Sequence, residues 1–389
     1  MHISRNKSLR LLAPPLTISR TKIELVSQFK YLGTTVNNSN NYTLTRLATV
    51  PLMNAASAHM YRGLMSNLAQ PPIKLGIELF GTFITSVAST GHVVHSPWFS
   101  PEDRLLKPDQ INQVFTRCLK RLLGVRRTTP DCGVYYLTGT LPLSLQIAQL
   151  SMQFFIKLAN SSTDELEVCA LKQMLSNRKL RGTVYKRFIQ PVFDLHEFDS
   201  VETAMSKIAN FNPSVFLTAA KSAFNAALRD RLDLSSKLDL VRLTAPPATI
   251  PTWLSDSLIF PVKLTHTLVR VLLSSHNLLI ETGRWSTPAG RIPRTDRKCR
   301  LCLLGVEEIP HFLTDCPEFE GLRVDLRDEL MVQCSMENIS LQDFFIFCIS
   351  TSNIGGCLLF AKFLYRVLSH PVLCKACVGP QCAHVPAQI

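Results

Sequence analysis

The sequence predicts a mainly α fold that opens on a short β-hairpin and carries a small cysteine- and histidine-bearing module towards its C-terminal end. Three observations lead there. Between residues 42 and 280 apolar side chains recur at spacings of three and four, the period of a helix face. The first forty residues instead alternate and are rich in β-branched residues, as in LTISRTKIELVSQFKYLGTTV, closed by the turn-forming NNSNN. Residues 299–316 hold Cys299, Cys302, His311 and Cys316 in the spacing C-x2-C-x8-H-x4-C.

Taken in order, the alternating start predicts the hairpin over residues 1–40. From Tyr42 the run YTLTRLATVPLMNAASAHMYRGLMSNL gives a helical face that Gln70–Pro72 ends, and a second apolar helix is expected from about Ile73 to Thr90. Lys107–Leu123 places Ile111, Val114, Phe115, Cys118 and Leu122 on one stripe, with Arg117, Lys120 and Arg121 largely on the other side, and Gly124 as its stop. Helices follow at Leu141–Ala159, Asp164–Ser176, Val201–Ala209 and Pro213–Leu232. TAPPATIPT, Thr244–Thr252, breaks the pattern as a linker. One more helix is expected over Val262–Ile280. The uncharged stretch Phe344–Ala361 is interrupted by Ser, Thr, Asn and a Gly pair, so it reads as a buried helix or helical pair rather than a membrane span.

With 389 residues, 46% of them hydrophobic, the chain can bury substantial cores, which excludes a disordered protein. Forty-two Lys and Arg against 29 Asp and Glu give a net charge of +13. Spread evenly, that charge would serve solubility, but it is clustered: Arg117–Arg127 hold five basic residues and no acid, and Arg294, Arg297, Lys298 and Arg300 lead into the cysteine cluster. Clustering favours polyanion contact, and RNA or DNA is the expected partner. The twelve cysteines sit in a large chain with no signal-peptide pattern, so reduced thiols in an intracellular compartment are expected.

The C-x2-C-x8-H-x4-C spacing is that of a metal shell. Two cysteines two residues apart aim both sulfurs at one ion from a tight turn, Gly305 allows the loop to reverse, and His311 and Cys316 complete a tetrahedral set suited to zinc. Four protein donors leave no position for water, so the ion is expected to be structural rather than hydrolytic. A second group, Cys374, Cys377, Cys382 and His384, is either a second zinc site or an unstructured tail.

The run KCRLCLLGVEEIPHFLTDCPEFEGLR from Lys298 resembles the C-terminal zinc knuckle of non-LTR (LINE-type) retrotransposon reverse transcriptases, whose pattern is C-x2-C, an acidic loop, H-F-L-x2-C-P and a nearby arginine. SQFKYLGTTV, Ser27–Val36, is similar to that family's F-K-Y-L-G hairpin, which follows the palm and helps hold the primer terminus. FTRCLKRLLGVRRTTPDCGVYYLTGTLPL, Phe115–Leu143, resembles its thumb helix and R-x-T-P loop. LVRVLLSSHNLL, Leu268–Leu279, resembles the helix before the knuckle, with Ser275 where the family often has glycine.

The resemblance implies a division into a palm-edge hairpin (1–40), a helical thumb-like domain (41–160), a helical connection (161–285), a CCHC zinc knuckle (286–325) and a helical tail (326–389). It implies a primer-grip-like role for Phe29, Tyr31, Leu32 and Gly33, although Phe29 and Tyr31 equally suit the core of the hairpin. It also implies phosphate contacts from Arg117, Lys120, Arg121, Arg126, Arg127, Arg294, Arg297, Lys298 and Arg300. The family's polymerase is an RNA-directed DNA polymerase that holds two metal ions on palm aspartates. This sequence contains no Asp-Asp pair, so no catalytic residue is assigned.

The expectation is therefore a nucleic-acid-binding C-terminal portion of such an enzyme, nuclear in its site of action and not polymerising alone. It would work with the rest of the reverse transcriptase if made as a longer chain. The alternatives are a helical protein-interaction module with a purely structural zinc site, or the tail of an active polymerase read from a longer frame.

Overall fold

The computed structural model describes residues 43–64, 72–90, 110–162, 165–177, 185–243, 251–255, 260–284, 290–335 and 339–374, together with the backbone of four short strands between Thr17 and Asn37. Helices dominate. The strands form two antiparallel pairs, Thr17–Ile18 with Thr21–Lys22 and Gln28–Tyr31 with Thr34–Asn37. In the second pair Phe29 stands opposite Val36 and Tyr31 opposite Thr34, while Leu32 and Gly33 lie outside the described residues.

The chain divides into two compact units, each assembled from separated segments. In the first, residues 1–67, 79–115 and 141–227, the Leu143–Ala159 helix supplies the spine. Its stripe of Ala148, Met152, Phe155 and Leu158 is buried against Leu166–Ser176 and Val201–Ala209. Phe188, Phe193 and Phe211 fill the gap with edge-on ring contacts, Phe193 to Phe211 at 4.9 Å. Ser200 caps the Val201–Ala209 helix by accepting from the Thr203 N–H at 3.1 Å, a local reason for the helix to begin there.

The second unit, residues 68–78, 116–140 and 228–389, is organised around the Ile354–Leu368 helix. Helices Val262–Leu272, Glu320–Cys334 and Leu341–Thr351 pack on it, burying Leu359, Phe360, Phe363 and Leu364. The apolar stretch Phe344–Ala361 is thus part of a helical pair, Leu341–Thr351 and Ile354–Leu368. It turns at Ser352 in the left-handed region, and Asn353 accepts from the Gly356 N–H to start the second helix. Among the described residues no helix is long and apolar enough to cross a membrane.

Most expected helices stand where the apolar period puts them, and Gly124, with φ +65°, ends the Gln110–Leu122 helix. The segment expected as one helix over Val262–Ile280 is broken. Its helix stops at Leu272, Ser274 adopts φ +48°, and a short turn of helix resumes at Leu279–Thr282. The Ser275 N–H closes onto the Arg270 carbonyl at 2.7 Å, and the freed loop sends His276 inward. Apolar spacing continues through this break, which is why periodicity alone does not reveal it. Short helices at Asp131–Thr138 and Asp239–Leu243 also carry too few turns for a periodic pattern.

Candidate metal centre

The four cysteine and histidine positions converge through two local devices. Lys298 pairs with Val306 in an antiparallel bridge, and between them the Cys299 N–H donates to the Gly305 carbonyl at 2.8 Å. The turn closes with the Leu303 N–H on the Cys299 carbonyl at 2.9 Å, Leu303 taking φ +62°. This tight reversal points Cys299 and Cys302 the same way. On the other side, Pro310 opens the Ile309–Thr314 helix that carries His311. The Cys316 N–H folds back onto the His311 carbonyl at 2.9 Å, and Pro317 begins a new turn.

Gly305 is required by close approach. A Cβ there would lie 2.5 Å from His311 Nδ1 and 2.7 Å from its Cε1, so the imidazole occupies the space a side chain would take. The ring thereby presents Nε2, 3.2 Å from Cys302 Sγ, while Cys299 Sγ lies 4.0 Å from Cys316 Sγ. All four donor atoms fall within 4.8 Å of one another. Bonds of about 2.3 Å from sulfur and about 2.0–2.1 Å from nitrogen to a tetrahedral zinc ion place such donors roughly 3.5–3.8 Å apart, so the group can hold a metal ion and suits zinc.

The thiols are poised unequally. Burial raises the Cys302 thiol, but the N–H groups of Leu304 and Gly305 and the His311 ring outweigh it and bring the group down to about 6. Cys316 is pushed up to about 12 by burial, with Cys299 and Cys302 adding like charge, and Cys299 is raised by burial too. Without a cation the pocket resists carrying three thiolates together; a divalent ion supplies the charge that allows it.

Around the donors lies an apolar shell. Phe312, Leu313 and Phe319 are buried, and Phe312 meets Phe319 edge-on at 5.4 Å. Phe319 in turn meets His370, whose Nε2 lies 3.8 Å from Glu318. Of the second cysteine group, Cys374 belongs to the Pro371–Cys374 turn, while Cys377, Cys382 and His384 lie outside the described residues.

The basic residues separate into two kinds. Arg117, Arg121, Arg127 and Lys298 are exposed, as phosphate contacts need to be. Lys120 departs from the expected solvent face. It is 8% exposed, its Nζ lies 2.6 Å from an Asp131 carboxylate oxygen, and it donates to the Arg127 carbonyl at 2.9 Å, pinning the loop after its own helix. Arg126 is half-buried, its N–H donating to Ser275 Oγ at 2.8 Å and its guanidinium to Asn277 Oδ1.

Near the metal ligands, Arg297 is buried and donates to the carbonyls of Ile280 at 2.8 Å and Ile292 at 3.0 Å, so its guanidinium holds backbone rather than facing solvent. Arg300 is committed to Glu307. Arg294 stays exposed while pairing with Glu308 at 2.9 Å.

Two residues matter here that ligand spacing does not single out. Glu307, in the loop between the ligand pairs, is fully buried and accepts from Arg300 and from the Leu279 N–H at 2.8 Å, tying the loop to the Leu279–Thr282 turn. Arg323, on the Glu320–Cys334 helix, donates to the carbonyls of Cys316 at 2.6 Å and Phe312 at 3.2 Å. The signal in the sequence is an acidic pair, Glu307 and Glu308, in the loop between the ligand pairs, and an arginine seven residues past the last ligand. The chain matches no protein-family model, no curated protein and no solved structure.

Proposed function

We propose that this chain is the nucleic-acid-binding C-terminal portion of a non-LTR retrotransposon reverse transcriptase, with zinc as the ion held by Cys299, Cys302, His311 and Cys316. The observation that carries the reading is the closure of those four donors into one shell at the C-x2-C-x8-H-x4-C spacing that resembles the family's knuckle. With every donor supplied by protein, the ion acts as a structural pin. The sequence contains no paired aspartates to hold polymerase metals, so the role is to bind template RNA or target DNA rather than to extend it. Nuclear action follows from that role.

Four exposed cations are the candidates for phosphate contact: Arg117, Arg121 and Arg127 around the Gln110–Leu122 helix, and Lys298 at the knuckle. The test is binding of the full chain, loaded with zinc, to single-stranded RNA and duplex DNA across a salt series. Phosphate contact makes affinity fall steeply as salt rises, and neutralising one contacting cation reduces the log–log slope by about 1. Binding that is absent, or indifferent to salt, would favour the helical protein-interaction module. Extension of a primer by a longer product of the same frame would identify the chain as the tail of an active polymerase.

A further inference from the structure

Three thiolates and one neutral imidazole around a divalent ion sum to a single net negative charge. On the metal reading above, that charge sits where Cys299 and Cys316 have no solvent exposure and Phe312, Leu313 and Phe319 line the surroundings. Burying an uncompensated charge among apolar side chains is costly, so a nearby cation is the expected remedy.

Arg323 is that cation. It is 1% exposed, the most buried charged side chain beside the centre apart from Glu307. Its Nη1 donates to the carbonyl of Cys316, itself a ligand, and to that of Phe312, which follows the ligand His311. Its carboxylate partner among the described residues, Glu320, lies in the same helix and is 57% exposed, so that ion pair alone gives no reason to draw the guanidinium out of water. Arg323 Nε is buried with no hydrogen-bond partner among the described residues, a further cost of the position. The other inward-turned arginines have different duties, Arg300 on Glu307 and Arg297 on the Ile280 and Ile292 carbonyls.

We infer that Arg323 is a positioning and charge-balancing residue of the metal centre: it fixes the backbone that carries His311 and Cys316 and offsets the negative charge of the thiolate-rich shell.

The test uses the full chain, with zinc affinity measured by chelator competition and with cobalt(II) as a spectroscopic stand-in. Arg323→Met is expected to lower zinc affinity about 10- to 100-fold, the usual effect of removing a group that orients metal ligands. It should also shift the thiolate-to-cobalt absorption band. Arg323→Lys, which keeps the charge, should recover part of the loss. Melting of metal-free and zinc-loaded protein separates this from plain packing, because a metal-directed role shrinks the stabilisation that zinc confers while a packing role lowers both forms alike.

If Arg323→Met does not fold without metal, Glu320→Gln decides: it removes the ion pair but leaves the guanidinium, so zinc affinity should hold or rise. Zinc affinity unchanged in Arg323→Met, equal losses in the Met and Lys variants, or a loss in Glu320→Gln would each overturn the inference. A parent chain that binds no zinc would sink the metal reading itself, and this inference with it.

Discussion

Arg300 grips Glu307 with two guanidinium N–H groups, Nε at 2.8 Å and Nη2 at 2.6 Å from the two carboxylate oxygens, and the Glu307 side chain has no solvent exposure. Arg300 also donates its own backbone N–H to Glu307 at 2.9 Å and its Nη2 to the Asn277 carbonyl at 3.2 Å. The pair therefore locks the ligand-bearing loop to the segment preceding it. A cationic flank that the sequence suggests for phosphates is, at Arg300 and Arg297, spent on holding the fold.

Breaking that pair from one side leaves a buried, uncompensated carboxylate. Arg300→Met is expected to destabilise the protein by about 3–5 kcal/mol in denaturant unfolding, whereas Arg300→Met combined with Glu307→Gln should recover most of the loss. A double variant as unstable as the single one would show that the pair does not act as a unit.

Gly305→Ala tests the close approach of the imidazole. The added methyl lies 2.5 Å from His311 Nδ1, inside any tolerable contact, so the ring must swing away from Cys302. Zinc affinity should fall at least tenfold, with cobalt(II) losing its tetrahedral absorption. An alanine variant with parental affinity would mean that the His311 ring has another seat.

Acid should destabilise the second unit through its histidines. Burial drives His276 down to about 3, with the Arg126 charge adding, and its Nδ1 has no hydrogen-bond partner among the described residues. His266, whose Nδ1 donates to the Leu123 carbonyl at 3.0 Å, is also lowered by burial. A base depressed in the folded state is neutral there while the unfolded chain takes up protons near pH 6.5, so stability is intact above that pH. It declines below it, by about 1.4 kcal/mol per unit and per histidine, until the folded-state group itself titrates. Unfolding measured between pH 7 and 4 should show the decline, and His276→Leu should flatten it. An equal slope in the variant would place the acid sensitivity elsewhere.

The sequence makes the donor set legible because metal geometry limits the spacing of ligands, and the turn at Gly305 and the stop at Pro317 are local signals. Helix faces are legible for the same reason of period, down to Gly124. The fate of individual cations is not. Arg117, Lys120 and Arg121 read alike along the helix, yet Asp131, brought back by the loop, draws Lys120 inward. Nor does a run such as Leu268–Leu279 disclose its break, since the apolar spacing continues past the left-handed Ser274 and the inward-turned His276.

That distinction yields the last prediction. Arg117→Gln and Lys120→Gln each remove one positive charge three residues apart, but only Arg117 faces solvent. If the exposed face meets phosphates, Arg117→Gln should weaken RNA or DNA binding and lower the salt slope by about 1 without lowering the melting temperature. Lys120→Gln should instead destabilise, because it removes the ion pair to Asp131 and the hydrogen bond to the Arg127 carbonyl, leaving the loop after the helix less firmly held. Its salt slope should stay parental at temperatures where it remains folded. The opposite pattern, with Lys120→Gln reducing the slope and Arg117→Gln silent, would mean that the bound form turns this helix about and that its buried cation is the one nucleic acid meets.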